Sequence, residues 1–410
     1  MLIRIAIISL ILCSNTLSAS IAKVPIISGY MFEHYSSTLK QNRRYMVSLP
    51  ERYYSNDRHY PTIYVVDSDF QFQHTSALIT NLSRMGKIPP MIVIGIANQG
   101  QQDYIYQTTW SAENNSEYGG APLFNRYIEQ ELVPLIKKNY RTNSQQALAG
   151  YSLGLFATYA MMQKNTPFNA FIAMSPSAWF DDYSITKMLP LHVARAPNTT
   201  PALFLSVADE EKMGVRKLVE ALKNNAKEQK SWYWQFKTYP NETHFSTAMP
   251  ALYDALIFLS PGFYLDPQEM MKLDSYKDVL DIFEQKKTLW TGFQFEWLQA
   301  YQLAKYMFWS KQLDHVDDFI KEVFLRFPES HPEVVIQLAK GFTIKKQPAR
   351  AQQLLLSIES SSKDDAFWHR EMSLSYAALK KEALADTHQK QALSLAKKQK
   401  LPTWLVWELQ

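Results

Sequence analysis

The sequence predicts an α/β fold built on a mostly parallel sheet, followed by an all-α helical-repeat domain. Three observations carry this. From about residue 26 to 260, short β-branched and aromatic runs alternate with longer helical patterns, the signature of a sheet with helices on both faces. The central runs are apolar throughout, as strands buried on both sides must be. Beyond Ser260-Pro261-Gly262 and Asp266-Pro267 strand signals vanish, and from about 276 to 397 apolar residues recur at three and four.

In chain order the expected strands are Tyr30 to His34, Arg44 to Leu49, Thr62 to Val66, Met91 to Ile96, Gln146 to Gly150, Phe168 to Met174, Ala202 to Val207 and Trp232 to Thr238. The first two alternate and suit an antiparallel edge. Helices are expected over Leu123 to Asn139, Leu153 to Gln163, Lys212 to Lys227 and Thr247 to Phe258. The C-terminal segment repeats itself: Gln302-Leu303-Ala304-Lys305 returns as Gln337-Leu338-Ala339-Lys340, 35 residues on. Lys345-Lys346-Gln347 likewise returns as Lys380-Lys381-Glu382. A period near 34 means stacked helix pairs, and the segment resembles tetratricopeptide repeats. Val316 and Ile320 stand where the repeat has Ala and Phe.

The chain has 410 residues, and at about 150 per domain it holds two to three domains. With 46% hydrophobic, 20% charged and 13% aromatic residues it is globular. Forty-three basic against 39 acidic residues leave a charge of +4 with no long run of like charge, which argues against a nucleic-acid partner. Arg4, the apolar run Ile5 to Leu12 and the small residues after it read as a secretory signal over 1–22. The mature protein is then expected to be exported, periplasmic or secreted. Its single cysteine, Cys13, would leave with the signal, so no disulfide is expected. No later apolar stretch is long enough to span a membrane. The expected domains are 23–265 for the α/β unit and 276–410 for the repeats.

Glycine is scarce, 12 in the chain, yet two flank one serine in Gly150-Tyr151-Ser152-Leu153-Gly154. The motif sits between a strand and a helix, the setting of a nucleophile elbow in which the serine hydroxyl projects at the carboxyl edge of a sheet. A serine hydroxyl needs a base, and the base needs an acid to orient it. In this fold class the order is serine, acid, histidine. Of nine histidines, His34, His59 and His74 precede the serine, and His315, His331, His369 and His388 lie in the helical segment. His192 comes before the strand that should bear the acid, which leaves His244. The acid should follow the strand Ala202 to Val207, where Asp209, Glu210 and Glu211 stand in a row. Spacing alone does not separate them.

Residues 40 to 260 resemble the Putative esterase (esterase D) family of α/β hydrolases, which includes enterobactin esterases, S-formylglutathione hydrolases and mycolyltransferases. The matching stretches are Tyr60-Pro61-Thr62-Ile63-Tyr64-Val65-Val66-Asp67, Ile92-Val93-Ile94-Gly95-Ile96, Leu132-Val133-Pro134-Leu135-Ile136 with Asn139-Tyr140-Arg141, Ala149 to Gly154, and Ser175-Pro176-Ser177-Ala178-Trp179. The resemblance implies an acid three residues after a strand-ending glycine. Ala208 occupies the glycine place, which points to Glu211, with Asp209 as the rival. It also implies an oxyanion hole from the backbone N–H groups of Leu153 and Asp69. Leu155 replaces a second family glycine, and Gln99-Gly100-Gln101-Gln102 stands where family members carry arginines for anionic substrates. Trp110, Tyr118, Trp179 and Phe180 are candidates to line an acyl or aryl pocket, against a role in the core.

The reading is an exported serine esterase of carboxylic esters acting through an acyl-enzyme, with no metal or organic cofactor implied. The alternatives are a siderophore (triscatecholate lactone) esterase, or a non-catalytic interaction protein. In either case the helical repeats offer a surface for a protein or peptide partner.

Overall fold

The computed structural model describes residues 25–110, 116–195, 201–226, 232–290 and 292–410. The N-terminal stretch read as an export signal lies outside the described residues. Eight strands form one sheet: β1 (Tyr30–Ser36), β2 (Gln41–Ser48), β3 (Tyr60–Val66), β4 (Ile92–Ile96), β5 (Thr142–Tyr151), β6 (Ala170–Met174), β7 (Ala202–Ala208) and β8 (Trp234–Tyr239). Their spatial order is β1-β2-β4-β3-β5-β6-β7-β8. β1 and β2 run antiparallel, and β3 to β8 are parallel to one another. All eight expected strands are present, and the two alternating ones form the antiparallel end of the sheet.

Alternation along the strands divides the core in two. Ile63, Val65, Val93, Ile172 and Phe204 face a layer containing the helices Ser68–Arg84 and Ala248–Phe258. Tyr64, Val66, Ile94, Leu148, Phe171 and Leu205 face the layer formed by residues 121–139, Phe156–Met161, Phe180–Arg195 and Val215–Ala226. Three helical stretches went unread in the sequence: Ser68–Arg84, Gln101–Thr108 and Phe180–Arg195, the last interrupted near its start by left-handed backbone at Asp181, Asp182 and Tyr183. The first is rich in Ser, Thr, Asn and Gln, which blur an apolar stripe because they hydrogen-bond locally outside helices. Within the helical stretch 121–139 the turn widens to a π-helix at Ile128–Leu132, just before Pro134, whose missing N–H and ring disfavour regular helix there.

From Pro267 onward the described chain is all α-helical, with paired helices at Trp297–Trp309 and Val316–Arg326, His331–Ile344 and Pro348–Ser357, and Ala366–Ala378 and Glu382–Lys398. The first helix of each pair ends in the same kind of turn, with Lys311, Lys346 and Lys380 in left-handed backbone at φ 59, 59 and 61°. These turns recur after 35 and 34 residues, so the helix pairs repeat in backbone as well as in sequence, the last turn falling one residue out of step with the match of Lys345 to Lys380. Lys286, buried, donates to the Gly262 carbonyl, and Trp290 Nε1 donates to Pro261 O at 3.1 Å, so the Pro-Gly junction is pinned.

The helical region docks on segments leading into the amino ends of β3 and β4. Arg52 Nη1 meets Glu333 at 2.9 Å, Arg58 Nη1 meets Glu296 at 2.6 Å, and Trp404 Nε1 donates to Glu51 at 2.9 Å. A cleft of about 410 Å³ opens between the two parts, lined by these charged residues and Trp297. Ser152 follows the carboxyl end of β5, so the cleft and the helices lie at the opposite edge of the sheet from the serine.

Candidate active site

β5 ends at Tyr151, and the chain turns abruptly into a 3₁₀ turn at Ser152–Leu155 and then the helix Phe156–Met161. Ser152 sits at φ 59°, a conformation that a non-glycine residue adopts only when its surroundings impose it. The two motif glycines do different things. A Cβ on Gly150 would lie 2.3 Å from the Gly154 carbonyl oxygen, so the turn closes only on glycine there. A Cβ on Gly154 would meet nothing within 4 Å. Leu155, in the place of the family's second glycine, is fully buried in the core. The Ser177 N–H donates to Ser152 O at 3.0 Å and braces the elbow from the β6 side.

His244 comes from the loop between β8 and the helix Ala248–Phe258. Its Nε2 stands 3.0 Å from Ser152 Oγ, and its Nδ1 stands 2.6 Å from Glu210 Oε2. The carboxylate at the histidine is therefore Glu210, not Glu211 as the family offset suggested, nor Asp209. β7 runs on to Ala208, and Glu210 has extended backbone at φ −137°, which returns its side chain to the carboxyl edge. Asp209 is turned out to solvent, with its N–H on Glu242 O at 3.1 Å, and the exposed Glu211 opens the next 3₁₀ turn. Ser175, buried at φ 39°, donates from Oγ to Glu210 Oε1 at 3.0 Å, which fixes the second carboxylate oxygen.

Leu153 and Asp69 both occupy first-turn positions, where backbone N–H groups lack intrahelical acceptors. Val65 of β3 pairs with Ala149 of β5, so the turn after Val66 is carried to the same edge as Ser152. That turn is held from beneath: Asn98 N–H donates to Asp69 Oδ2 at 3.0 Å and Asn98 Nδ2 to Asp67 Oδ1 at 2.7 Å. Asp67 itself lies at φ 60°, and burial, reinforced by the neighbouring Asp69, pushes its carboxyl up to about 6 against the pull of Asn98.

Of the four aromatic candidates, Trp110 and Phe180 are buried against each other, Tyr118 packs on Phe180, and only Trp179 is exposed. Two further aromatics flank site residues in the chain and face solvent: Phe70 after Asp69, 78% exposed, and Phe245 after His244, 93% exposed. Ser175, Ser177 and Asn98 went unread as site residues; Ser175 and Ser177 lie in a stretch that carried the family resemblance. Among the described residues, no three His, Cys, Asp or Glu side chains are grouped to hold a metal ion, and no helix is long and apolar enough to cross a membrane.

A mostly parallel sheet covered on both faces, with a strained serine just past the carboxyl end of one strand and a histidine and then a carboxylate in contact with it, defines an α/β hydrolase by fold. The family model described as "Putative esterase" matches residues 36–250, and the chain belongs to that family. Over 172 residues it is 27% identical to the ferri-bacillibactin esterase BesA of Bacillus subtilis, a match covering 37% of this chain and 60% of that protein. It is 28% identical over 173 residues to the siderophore enterobactin esterase of Emericella nidulans, covering 35% of this chain and 57% of that one. The matches thus span only about 60% of these relatives' lengths. Among solved structures, an IroE-like serine hydrolase from Shewanella oneidensis superposes with a TM-score of 0.59 at 26% identity, over 72% of this chain and 98% of that one.

Proposed function

We propose that the protein is a serine ester hydrolase whose catalytic groups are Ser152, His244 and Glu210. The observation that carries this is the chain of contacts, Ser152 Oγ to His244 Nε2 at 3.0 Å and His244 Nδ1 to Glu210 at 2.6 Å, built on a strained elbow. Oγ attacks the ester carbonyl as Nε2 takes its proton, and the backbone N–H groups of Leu153 and Asp69 receive the oxyanion. Collapse breaks the bond to the alkoxy oxygen, which leaves with the proton from Nε2. Water then gives its proton to Nε2, attacks the acyl-enzyme and releases the acid and Ser152. Glu210 holds the imidazole with Nε2 free to accept and stabilises the imidazolium in both steps.

For substrate we favour a siderophore-type catecholate lactone over a simple aliphatic ester. Two curated relatives carry siderophore-esterase names and a third is named for ferri-bacillibactin, and the exposed Phe70, Trp179 and Phe245 offer aromatic faces at the edge that bears Ser152. Gln99, Gln101 and Gln102 would supply neutral amides where other family members have arginines. We further place the protein outside the cytoplasm, with 1–22 as its export signal, 23–265 as the catalytic domain and 276–410 as a tetratricopeptide-like array. Fluorophosphonate labelling of the wild type and of Ser152→Ala tests the chemistry, and triscatecholate lactones against p-nitrophenyl esters test the substrate. Label confined to Ser152 and a kcat/KM at least about tenfold higher on the lactone are expected. No label at Ser152 would leave a non-catalytic interaction protein, and equal rates on both ester classes would return the reading to a general esterase.

A further inference from the structure

The base is carried on a poorly anchored loop. Between β8 and the following helix, Asn241, Thr243, Phe245 and Ser246 are exposed, and the loop's own bonds are short-range ones such as Ser246 N–H to Thr243 O at 3.2 Å. Asp209 N–H holds Glu242 O, two residues before the histidine. An imidazole on such a loop would wander by more than the few tenths of an ångström that separate a productive hydrogen bond from a broken one. One side chain contacts both the ring and the main chain of His244. The Tyr151 ring stacks on the imidazole, centroids 5.0 Å apart and planes 27° from parallel, and its hydroxyl donates to the His244 carbonyl oxygen. Tyr151 is itself fixed as the last residue of β5, where its carbonyl accepts from Tyr104 Oη at 2.9 Å.

Resting on the hydrolase reading above, we infer that Tyr151 is the positioning residue for the base: its ring and hydroxyl seat His244 over Ser152. Because Tyr151 adjoins Ser152 in the chain, the segment that carries the nucleophile also helps to seat the base. Burial, and then the charge of Glu210, push the Tyr151 phenol up to about 12, so its hydroxyl stays protonated and able to donate. The aromatic face also lies where it can favour the imidazolium that forms during attack. This assigns a task to the variable position before the serine, which the elbow geometry alone leaves free.

The test compares Tyr151→Phe and Tyr151→Leu in the full chain, by kcat and KM on an activated ester, the pH profile of kcat/KM, and the rate of fluorophosphonate labelling. Tyr151→Phe keeps ring and shape but loses the hydroxyl, and kcat is expected to fall roughly tenfold with KM within about twofold. Tyr151→Leu loses the stack as well: kcat falls roughly a hundredfold and the acid limb of the profile moves to lower pH, since the imidazolium has lost its aromatic face. Labelling slows in parallel. If Tyr151→Leu does not fold, Tyr151→Phe decides alone. Wild-type kcat and labelling in Tyr151→Phe, or a rise in KM at constant kcat, would overturn the inference while the hydrolase reading stands. A wild-type protein that neither labels at Ser152 nor cleaves any ester would remove that reading, and the positioning role with it.

Discussion

Glutamine at position 210 is the sharpest test of the assembled site, because three adjacent acids compete and only one touches the histidine. In the proposed attack step a positive charge would grow on an imidazole whose Nδ1 is 2.6 Å from Glu210, a side chain only 11% exposed. With each charge spread over two atoms the mean separation is nearer 4 Å, where an effective dielectric of about 20 gives an attraction of about 4 kcal/mol. At 1.36 kcal/mol per decade this is a loss of about 10³ in kcat. The amide adds to the loss, since an N–H turned toward Nδ1 selects the tautomer whose Nε2 cannot accept the serine proton. Glu211→Gln, on an exposed side chain at the start of the next turn, should stay within about twofold of wild type. The assay is steady-state hydrolysis of an activated aryl ester with Ser152→Ala as the floor. If Glu210→Gln keeps more than a tenth of the wild-type kcat, or Glu211→Gln is the more damaged, the geometric assignment of the acid is wrong.

The two motif glycines should behave differently: Gly150→Ala forces a contact at 2.3 Å against backbone and should lose about 3 kcal/mol and more than a hundredfold in kcat. Gly154→Ala enters open space and should keep kcat within about threefold, as calorimetry and kinetics together would establish. Arg52→Ala leaves Glu333 and Asp365 facing each other without their cation, so thermal unfolding should report a loss of about 3–5 kcal/mol. Its kcat at 25 °C should be unchanged, because this junction lies at the edge of the sheet away from Ser152. For Asp67 the sign follows from a folded-state value of about 6 against 3.8 for the free side chain: its contribution favours folding fully below pH 3.8 and is lost as pH rises through 6. At 1.36 kcal/mol per unit, and reduced for partial exposure, Asp67→Asn should be more stable than wild type by about 1–2 kcal/mol at pH 8. Denaturation series should find that gain fading between pH 6 and 4, and a variant less stable at pH 8 would contradict it.

Much of the architecture was legible along the chain because the signals are local. Apolar runs such as Ile92 to Ile96 can satisfy their side chains only between two covered faces, so they read as central strands without any knowledge of neighbours. Ser152 was legible because glycine is rare here and the motif falls between a strand and a helix. His244 followed by elimination: chain order excluded four of the other eight histidines, and their place in the helical segment excluded the remaining four. The helix Ser68–Arg84 escaped because its polar residues weaken the apolar stripe, and Trp110 and Phe180 resisted assignment because a ring looks the same in a core as in a pocket.

The acid marks the boundary between the two kinds of information. By itself the sequence determined the mostly parallel sheet, and it singled out Ser152, His244 and a three-residue window for the carboxylate that the fold brings into contact. Within Asp209, Glu210 and Glu211 the residue types are interchangeable, and the choice depends on where β7 stops, on the backbone angle at 210 and on Ser175 arriving from β6 to hold one oxygen. The setting of Tyr151 against His244 and the docking of the helices at the far edge of the sheet are decided in the same way. Each joins residues distant in sequence, through distances of 2.6 to 5.0 Å that only the folded chain brings about.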